Sequence, residues 1–504
     1  MKKFAYALAA LMVVACSKDN ETNPGPDPVG NLDVQDFMWK AMNIWYYWQQ
    51  DVPDLADTRF STDAEYTQYL ASETDPAVFF QSLLFSADRF SFLSEDYVEL
   101  TQNLSGVSRS NGLEFGLTYQ DANSNGALDP SDPVYGTVRY IVPNSSAAAA
   151  DIARGEVFVG VDGQAMNGGN YRDLLFGDNA SYTLQMADVQ GGVITPNGKE
   201  VPLTKEENLV ENPVYIAKTL DVQGQKVAYL MYNGFTNEFD EDLNAAFGTF
   251  VAEGATDLVL DLRYNSGGSV NSSRLLSSMI FGRRTQDVYL VQRWNDRLQQ
   301  IFTQDDPDAL TDYFAATTGA GSTINTLNLQ RVYILTTRST ASSSELVING
   351  LNPYIDVVTI GTTTTGKNEF SLTMVDDPDR QGAPYIYTSS RESQINPNNS
   401  WAIQPLVGRN ENSAGFSDYT SGFPPDIELR EDLENMGVLG EVTEPLLARA
   451  LEEITGISGK RSFEVCTPDR PFTHSKMFKP LRDNMYVEPG TDFQLPDNLL
   501  KTLQ

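Results

Sequence analysis

The sequence predicts a multidomain α/β protein, and three observations carry that prediction. Strand and helix patterns alternate over residues 216–460, short strands surround one small helix over 106–215, and a helical pattern fills 31–105. At 504 residues the chain is too long for a single compact core. With 41% hydrophobic and 20% charged residues, its composition is that of a folded protein.

The first element is an address. Lys2 and Lys3 precede an apolar run from Phe4 to Ala15, too short to span a bilayer and flanked as a signal peptide is. It ends Val13-Val14-Ala15-Cys16, which resembles a bacterial lipobox and makes Cys16 the candidate lipid acceptor. Residues 1–16 then form a lipoprotein signal peptide. The acidic stretch Ser17-Lys18-Asp19-Asn20-Glu21 resembles the surface-export signal of Bacteroidetes lipoproteins. Pro24, Gly25, Pro26, Pro28 and Gly30 complete a tether over 17–30. The expectation is a cell-envelope lipoprotein of the outer membrane, surface-exposed or otherwise on the periplasmic face, held to the membrane through Cys16. The second cysteine, Cys466, is then a lone thiol that packs rather than reacts.

In 31–105, Phe37, Met38, Ala41, Ile44, Trp45 and Trp48 recur at helical spacing. Asp75-Pro76 starts a second helix, with Asp as cap and Pro in the first turn, and Phe79, Phe80, Leu83 and Leu84 give it an apolar stripe.

In 106–215, Val138–Val142 is a strand, Ala147–Ala153 a short helix, and Gly155–Gln164 a strand ending in a tight Asp162-Gly163 turn. This order resembles a PDZ domain of bacterial proteases. The resemblance implies that a peptide C-terminus adds as a strand to the domain's edge, its carboxylate held by backbone amides of a Gly-containing loop at Phe115, Gly116 and Leu117; a PDZ shape used only for interdomain packing is the alternative. The same region holds Asp121, Asn123, Asn125, Asp129 and Asp132, at positions 1, 3, 5, 9 and 12 of a loop with Gly126 at position 6. That is the spacing of a calcium loop, with Asp where Glu is usual at the last position and no flanking helices. A plain polar hairpin tip is the alternative.

In 216–460 the strands Val227–Met231, Asp257–Leu262, Val332–Thr336 and Val357–Ile360 alternate with helices at 239–251, 270–280 and 343–349. Repeated βαβ units imply a mainly parallel sheet covered by helices. Residues 461–504 are a C-terminal extension with no readable role.

Composition also excludes. A net charge of −33 repels phosphate backbones, so nucleic acid is not an expected partner. The single histidine, His474, excludes multi-histidine zinc sites and lies far from any nucleophile motif.

Three segments carry chemistry. They are Asp261-Leu-Arg263-Tyr-Asn265-Ser-Gly267-Gly268, Ser339-Thr-Ala-Ser342-Ser343-Ser344-Glu345, and Gly361-Thr-Thr-Thr-Thr-Gly366-Lys367, each at a strand end. Ser342 stands before a helix, whose free amides can receive a developing oxyanion, with Ser343 the natural donor. Gly267 and Gly268 can offer a second amide because no side chain blocks approach. The serine needs a base. A lysine serves if burial lowers its pKa from about 10.4 toward about 7–8, so Lys367, after an apolar strand and uncharged threonines, is the candidate.

These segments resemble the C-terminal processing peptidases, also called tail-specific proteases. Members carry an Asp-Leu-Arg-x-Asn-x-Gly-Gly motif, a Ser-Ala-Ser-Ala-Ser-Glu type motif and a Gly-Lys motif. In that pattern the nucleophile is three residues before the Glu, which is Ser342 before Glu345, and the base lysine follows by 25 residues, which is Lys367. The resemblance implies a crotonase-like core shared with Clp-type proteases, an inserted PDZ domain, and serine endopeptidase action on unfolded or C-terminally exposed polypeptides with no cofactor for catalysis. Many members place Gln four residues after the lysine. Here Ser371 stands there, and Ser344 is the alternative nucleophile. A second function on the same fold is a catalytically inactive peptide- or ligand-binding surface lipoprotein.

Overall fold

The computed structural model describes residues 32–282, 284–457, 470–479, 484–488 and 495. The leader, the tether with Cys16, and Cys466 lie outside the described residues. No helix among the described residues is long and apolar enough to cross a membrane.

The described residues begin with four α-helices, α1 (Asp33–Trp45), α2 (Asp63–Leu70), α3 (Pro76–Ser82) and α4 (Tyr97–Leu104). The Asp75 carboxylate accepts the Ala77 amide at 2.8 Å, and Pro76 takes the first helical position, where a missing N–H costs nothing. The apolar stripe of α1 is buried, but not in a separate core. Phe37, Met38 and Trp45 pack in one cluster with Leu230, Leu260 and Ile334 of the main domain. Polar ties follow the same seam: Trp45 Nε1 donates to the Pro384 carbonyl at 2.9 Å, and Asn295 Nδ2 to the Tyr46 carbonyl at 3.1 Å.

Next comes an antiparallel unit of β1 (Leu113–Tyr119), β2 (Val134–Ile141), β3 (Val157–Val161), β4 (Ser181–Gln190) and β5 (Val193–Thr204). It has its own core around Phe115, Leu117, Phe158 and Leu184. Asp162 and Gly163 both take positive φ, 50° and 76°, the geometry of the tight turn read in the sequence. The helix expected at 147–153 is a single turn, Ser146–Ala149, because Ala150 extends and Ile152 turns into the core.

The remaining chain runs β6 (Val214–Val222), β7 (Gln225–Tyr232), α5 (Asp240–Glu253), β8 (Asp257–Asp261), β9 (Gly268–Ser269), α6 (Val270–Phe281), β10 (Val288–Trp294) and β11 (Thr311–Tyr313). It continues through β12 (Arg331–Thr336), α7 (Ser343–Leu351), β13 (Asp356–Gly361), β14 (Glu369–Ser371), β15 (Leu406–Glu411), β16 (Ile427–Glu428) and α8 (Pro445–Thr455). Two short strands follow, β17 (Arg470–His474) and β18 (Met485–Tyr486).

Apart from β17, these strands form two six-stranded sheets. The first has the order β6-β7-β8-β12-β13-β16 and is parallel from β7 onward. Leu258, Val259 and Leu260 are all fully buried, as a strand covered on both faces requires. The second has the order β9-β18-β14-β15-β10-β11, and alternation in the sequence does not announce it. The last stretch of chain thus supplies one strand to this sheet and another, β17, to the edge of β1. The whole is the mixed α/β, multidomain architecture with a helical N-terminal region that the sequence predicts.

Candidate active site

Parallel pairing of β8, β12 and β13 brings the three chemical segments to one edge, with Asp261 beside Leu335 and Thr336 beside Gly361. Side chains and amides then lace them together. The Ala341 amide and the Ser344 hydroxyl both donate to the Asn265 carbonyl, at 3.1 and 3.0 Å. The Ser343 hydroxyl donates to the Gly268 carbonyl at 2.7 Å.

Those bonds separate the three adjacent serines. Ser343 and Ser344 spend their hydroxyls on carbonyls, whereas Ser342 Oγ is buried and has no hydrogen-bond partner among the described residues. Ser342 also holds φ of 64° and ψ of −118°, a strained conformation for a residue with a Cβ, at the turn from β12 into α7. Strain and an unspent buried hydroxyl at a helix N-terminus mark a functional position.

Glu345, fully buried, sets the spacing of this turn. Its Oε2 accepts the amides of Ser342 (2.8 Å) and Lys367 (2.9 Å), and its Oε1 accepts the Gly366 amide (2.7 Å) and the Thr364 hydroxyl (2.5 Å). One carboxylate therefore pins the serine turn to the lysine loop. Burial pushes Glu345 up from its ordinary 4.5 to about 7, against the pull of these four donors. The motif alone assigns Glu345 a supporting place. The double clamp is visible only in three dimensions.

Lys367 is 1% exposed. Its Nζ donates to Asn484 Oδ1 at 3.3 Å and lies 5.1 Å from the centre of the Phe90 ring. Arg89 donates to the Gly366 carbonyl, so the loop carrying the lysine is braced from the N-terminal region. Ser371 Oγ lies 2.8 Å from Asn484 Oδ1 and 2.6 Å from Gln404 Oε1. Phe90, Gln404 and Asn484 escaped the sequence reading, since no local pattern ties them to the lysine.

One assignment needs correction. The Gly267 amide turns inward and donates to Asn265 Oδ1 at 2.9 Å, so it is already spent. Gly268 is the glycine whose amide opens on the cleft, where it donates to the Asn484 carbonyl at 2.6 Å. Gly267 serves by being small, since a Cβ there would lie 2.6 Å from Ser342 Cβ. The Ser343 amide opens α7, whose first-turn N–H groups lack partners within the helix.

Arg263 of the first motif is a fully buried strut. It pairs with Asp261 (2.8 Å), Glu444 (2.7 Å) and Glu431 (3.2 Å), and Glu444 also caps α8 by accepting the Leu447 amide at 2.8 Å. Burial works against the charge of Glu431, but Arg154 and Arg263 prevail and hold it down at about 2.

Phe115, Gly116 and Leu117, expected in a carboxylate-holding loop, lie instead within strand β1, paired with β2 on one side and with β17 of the chain's own tail on the other. The calcium expectation does not survive the geometry. Asp121 accepts the amides of Asn125 (3.1 Å) and Gly126 (2.8 Å) and pairs with Arg470 (3.0 Å). Asp132 accepts the amides of Ala122 (3.2 Å) and Asp129 (2.8 Å), and Asp129 takes the Asn123 and Asn125 side-chain amides. The oxygens face the loop's own donors rather than a common point, and no metal-holding cluster of three His, Cys, Asp or Glu occurs among the described residues.

Comparison with known proteins agrees with this geometry. Residues 226–404 match Peptidase family S41, and residues 33–92 match the Peptidase S41 N-terminal domain. A chloroplastic C-terminal processing peptidase of Tetradesmus obliquus is 25% identical over 323 residues, and this chain spans about 60% of that relative's length. A crystal structure described as an S41 protease of Bacteroides fragilis NCTC 9343 is 27% identical, with a TM-score of 0.62 covering 84% of this chain and 97% of that one.

Proposed function

We propose, for a chain that belongs to peptidase family S41, that it is a serine endopeptidase working through a Ser342–Lys367 dyad on unfolded or C-terminally exposed polypeptides. One observation carries the assignment: the Glu345 carboxylate holds the backbone of Ser342 and of Lys367 together, with the serine hydroxyl unspent and the lysine buried. Lys367 takes the Ser342 proton, and Oγ attacks the scissile carbonyl. The amides of Gly268 and Ser343 receive the oxyanion, while Gly267 leaves room. The lysine then protonates the leaving amine, and water, deprotonated by the same lysine, releases the acyl group. Ser371 and Gln404 stand where they can orient the amine. The β1–β5 unit is read as a PDZ domain that receives polypeptide. Cys16 is read as the lipid anchor of an outer-membrane, surface-exposed lipoprotein.

The test is digestion of an unstructured polypeptide by the wild-type chain, Ser342→Ala, Ser344→Ala and Lys367→Ala, with fragments followed by mass spectrometry. Cleavage lost in Ser342→Ala and Lys367→Ala but kept in Ser344→Ala is the expected result. Cleavage surviving in Ser342→Ala overturns the dyad.

A further inference from the structure

The stretch after α8 enters two places that a polypeptide substrate would need. At the first, β17 lies antiparallel on β1, with Thr473 opposite Leu117 and His474 opposite Gly116. This is strand addition at the edge where the sequence predicts peptide binding. Ser475 Oγ accepts the Phe115 amide at 3.0 Å, Lys479 pairs with Glu114, and Lys476 lies 3.7 Å from Glu211.

At the second, β18 runs between β9 and β14, parallel to both. The Asn484 carbonyl takes the Gly268 amide at 2.6 Å, the donor assigned above to the oxyanion. Its side-chain Oδ1 takes Lys367 Nζ (3.3 Å) and Ser371 Oγ (2.8 Å), and its Nδ2 donates to Gln404 Oε1 at 3.2 Å. A Cβ placed on Gly267 would fall 2.6 Å from the Asn484 carbonyl oxygen and 3.0 Å from Ser342 Oγ, so the two oxygens border one small space. Met485 is fully buried, with Asn410 Nδ2 3.1 Å from its sulfur, and the Val487 amide donates to the Ser371 carbonyl at 3.1 Å.

A strand that spends the oxyanion donor and the lysine at once leaves neither for a substrate. We propose that residues 484–488 occupy the substrate subsites of this chain's own cleft. Asn484 stands where the attacked carbonyl would stand, Met485 and Tyr486 fill the two following subsites, and the tail is a tethered competitive inhibitor. This rests on the peptidase reading above. The tail is held rather than cut, because the Asn484 side chain takes the amine while Ser342 Oγ stays unpartnered.

The test uses the full chain and does not depend on turnover alone. Met485→Glu places a charge in a dry site and expels the strand, and Tyr486→Ala loosens it more gently. Both should cleave an unstructured polypeptide at least about tenfold faster than wild type. A synthetic peptide of residues 480–490 should then inhibit them by raising KM without changing kcat. In the Ser342→Ala background, a dye-labelled copy of that peptide should bind Met485→Glu and Tyr486→Ala but not the unaltered tail. Peptide binding without cleavage by any form keeps this proposal and removes the peptidase reading. Ser342-dependent cleavage that neither tail variant accelerates, with no peptide binding, overturns the inhibitor and keeps the peptidase. Lower melting temperatures without activation make β18 a purely structural strand. Loss of residues 485–504 in wild type but not in Ser342→Ala makes the tail a substrate. Either result refutes the proposal.

Discussion

Replacing Glu345 with Gln should separate stability from activity. Glu345 moves from its ordinary 4.5 to about 7 in the folded chain, and burial is the main cause. A folded-state value above the ordinary one means that the group's stability is fully present below about 4.5 and is lost as pH rises through 7. The shift is worth roughly 3 kcal/mol, which the wild-type chain forgoes at pH 8 and Glu345→Gln does not. The variant should therefore gain about 3 kcal/mol on wild type between pH 4.5 and pH 8, on top of a pH-independent loss of about 1–3 kcal/mol for each amide its single oxygen leaves unpaired. Its activity should move the other way. Gln has one acceptor oxygen, so it serves either the Ser342 and Lys367 amides or the Gly366 amide and Thr364, never both pairs. Slack of about 1 Å between serine and lysine costs about 10²-fold in kcat. Urea unfolding across pH 4.5–8, together with kcat on an unstructured polypeptide, reads both quantities. A Gln variant that gains nothing on wild type between pH 4.5 and pH 8, or one with undiminished kcat, would refute the reasoning. Glu345→Ala leaves three buried amides without an acceptor and should destabilise at every pH, by about 1–3 kcal/mol for each amide.

Other outcomes follow from neighbouring features. Arg263→Met strands the buried carboxylates of Asp261 and Glu444 and should cost about 3–5 kcal/mol in chemical denaturation. Arg263→Lys keeps the charge but not the two-pronged contact with Glu444, so it should also be clearly destabilised. Gly268→Ala would put a Cβ 2.1 Å from the Phe235 carbonyl oxygen at φ of 132°, so its cleavage should fall below detection. Gly163→Ala, with open space around its Cβ at φ of 76°, should cost only about 1–2 kcal/mol in the same melt. Glu431 sits at about 2, below its ordinary 4.5, so its contribution holds above 4.5 and disappears as pH falls toward 2. Glu431→Gln should remove about 3 kcal/mol of acid sensitivity from the unfolding curve.

Much of this molecule is legible in its sequence because the signals are local. The run Asp257–Leu262, the Asp75-Pro76 start and the Asp162-Gly163 turn each depend on a few adjacent residues, and each stands where the pattern puts it. Ser342, Lys367 and Gly268 come together because parallel strands deliver their loops to one edge. The second sheet is different. Strands β9, β14 and β18 are two or three residues long, too short for periodicity to register. Gln404 and Asn484 reach Ser371 and Lys367 across long stretches of chain, and only folding joins them. The calcium spacing misled for a related reason. Asp, Asn and Gly at those intervals also build a loop whose oxygens cap its own amides.

The shared core of α1 and the main domain governs how the protein comes apart. Trp45 lies against Trp294 and Phe37 against Tyr385, within one continuous core that also holds Leu260 and Ile334, so the N-terminal helices and the main domain form one cooperative unit and must melt together. The β1–β5 unit, with its separate core around Phe158, can open while the rest stays folded. Calorimetry should resolve two transitions, and only the larger should respond to mutations in the helices. A chain trimmed to residues 226–404 would expose Trp294 and Tyr385 where Trp45 and Phe37 lay, so the segment that carries the family signature is not a unit that folds alone.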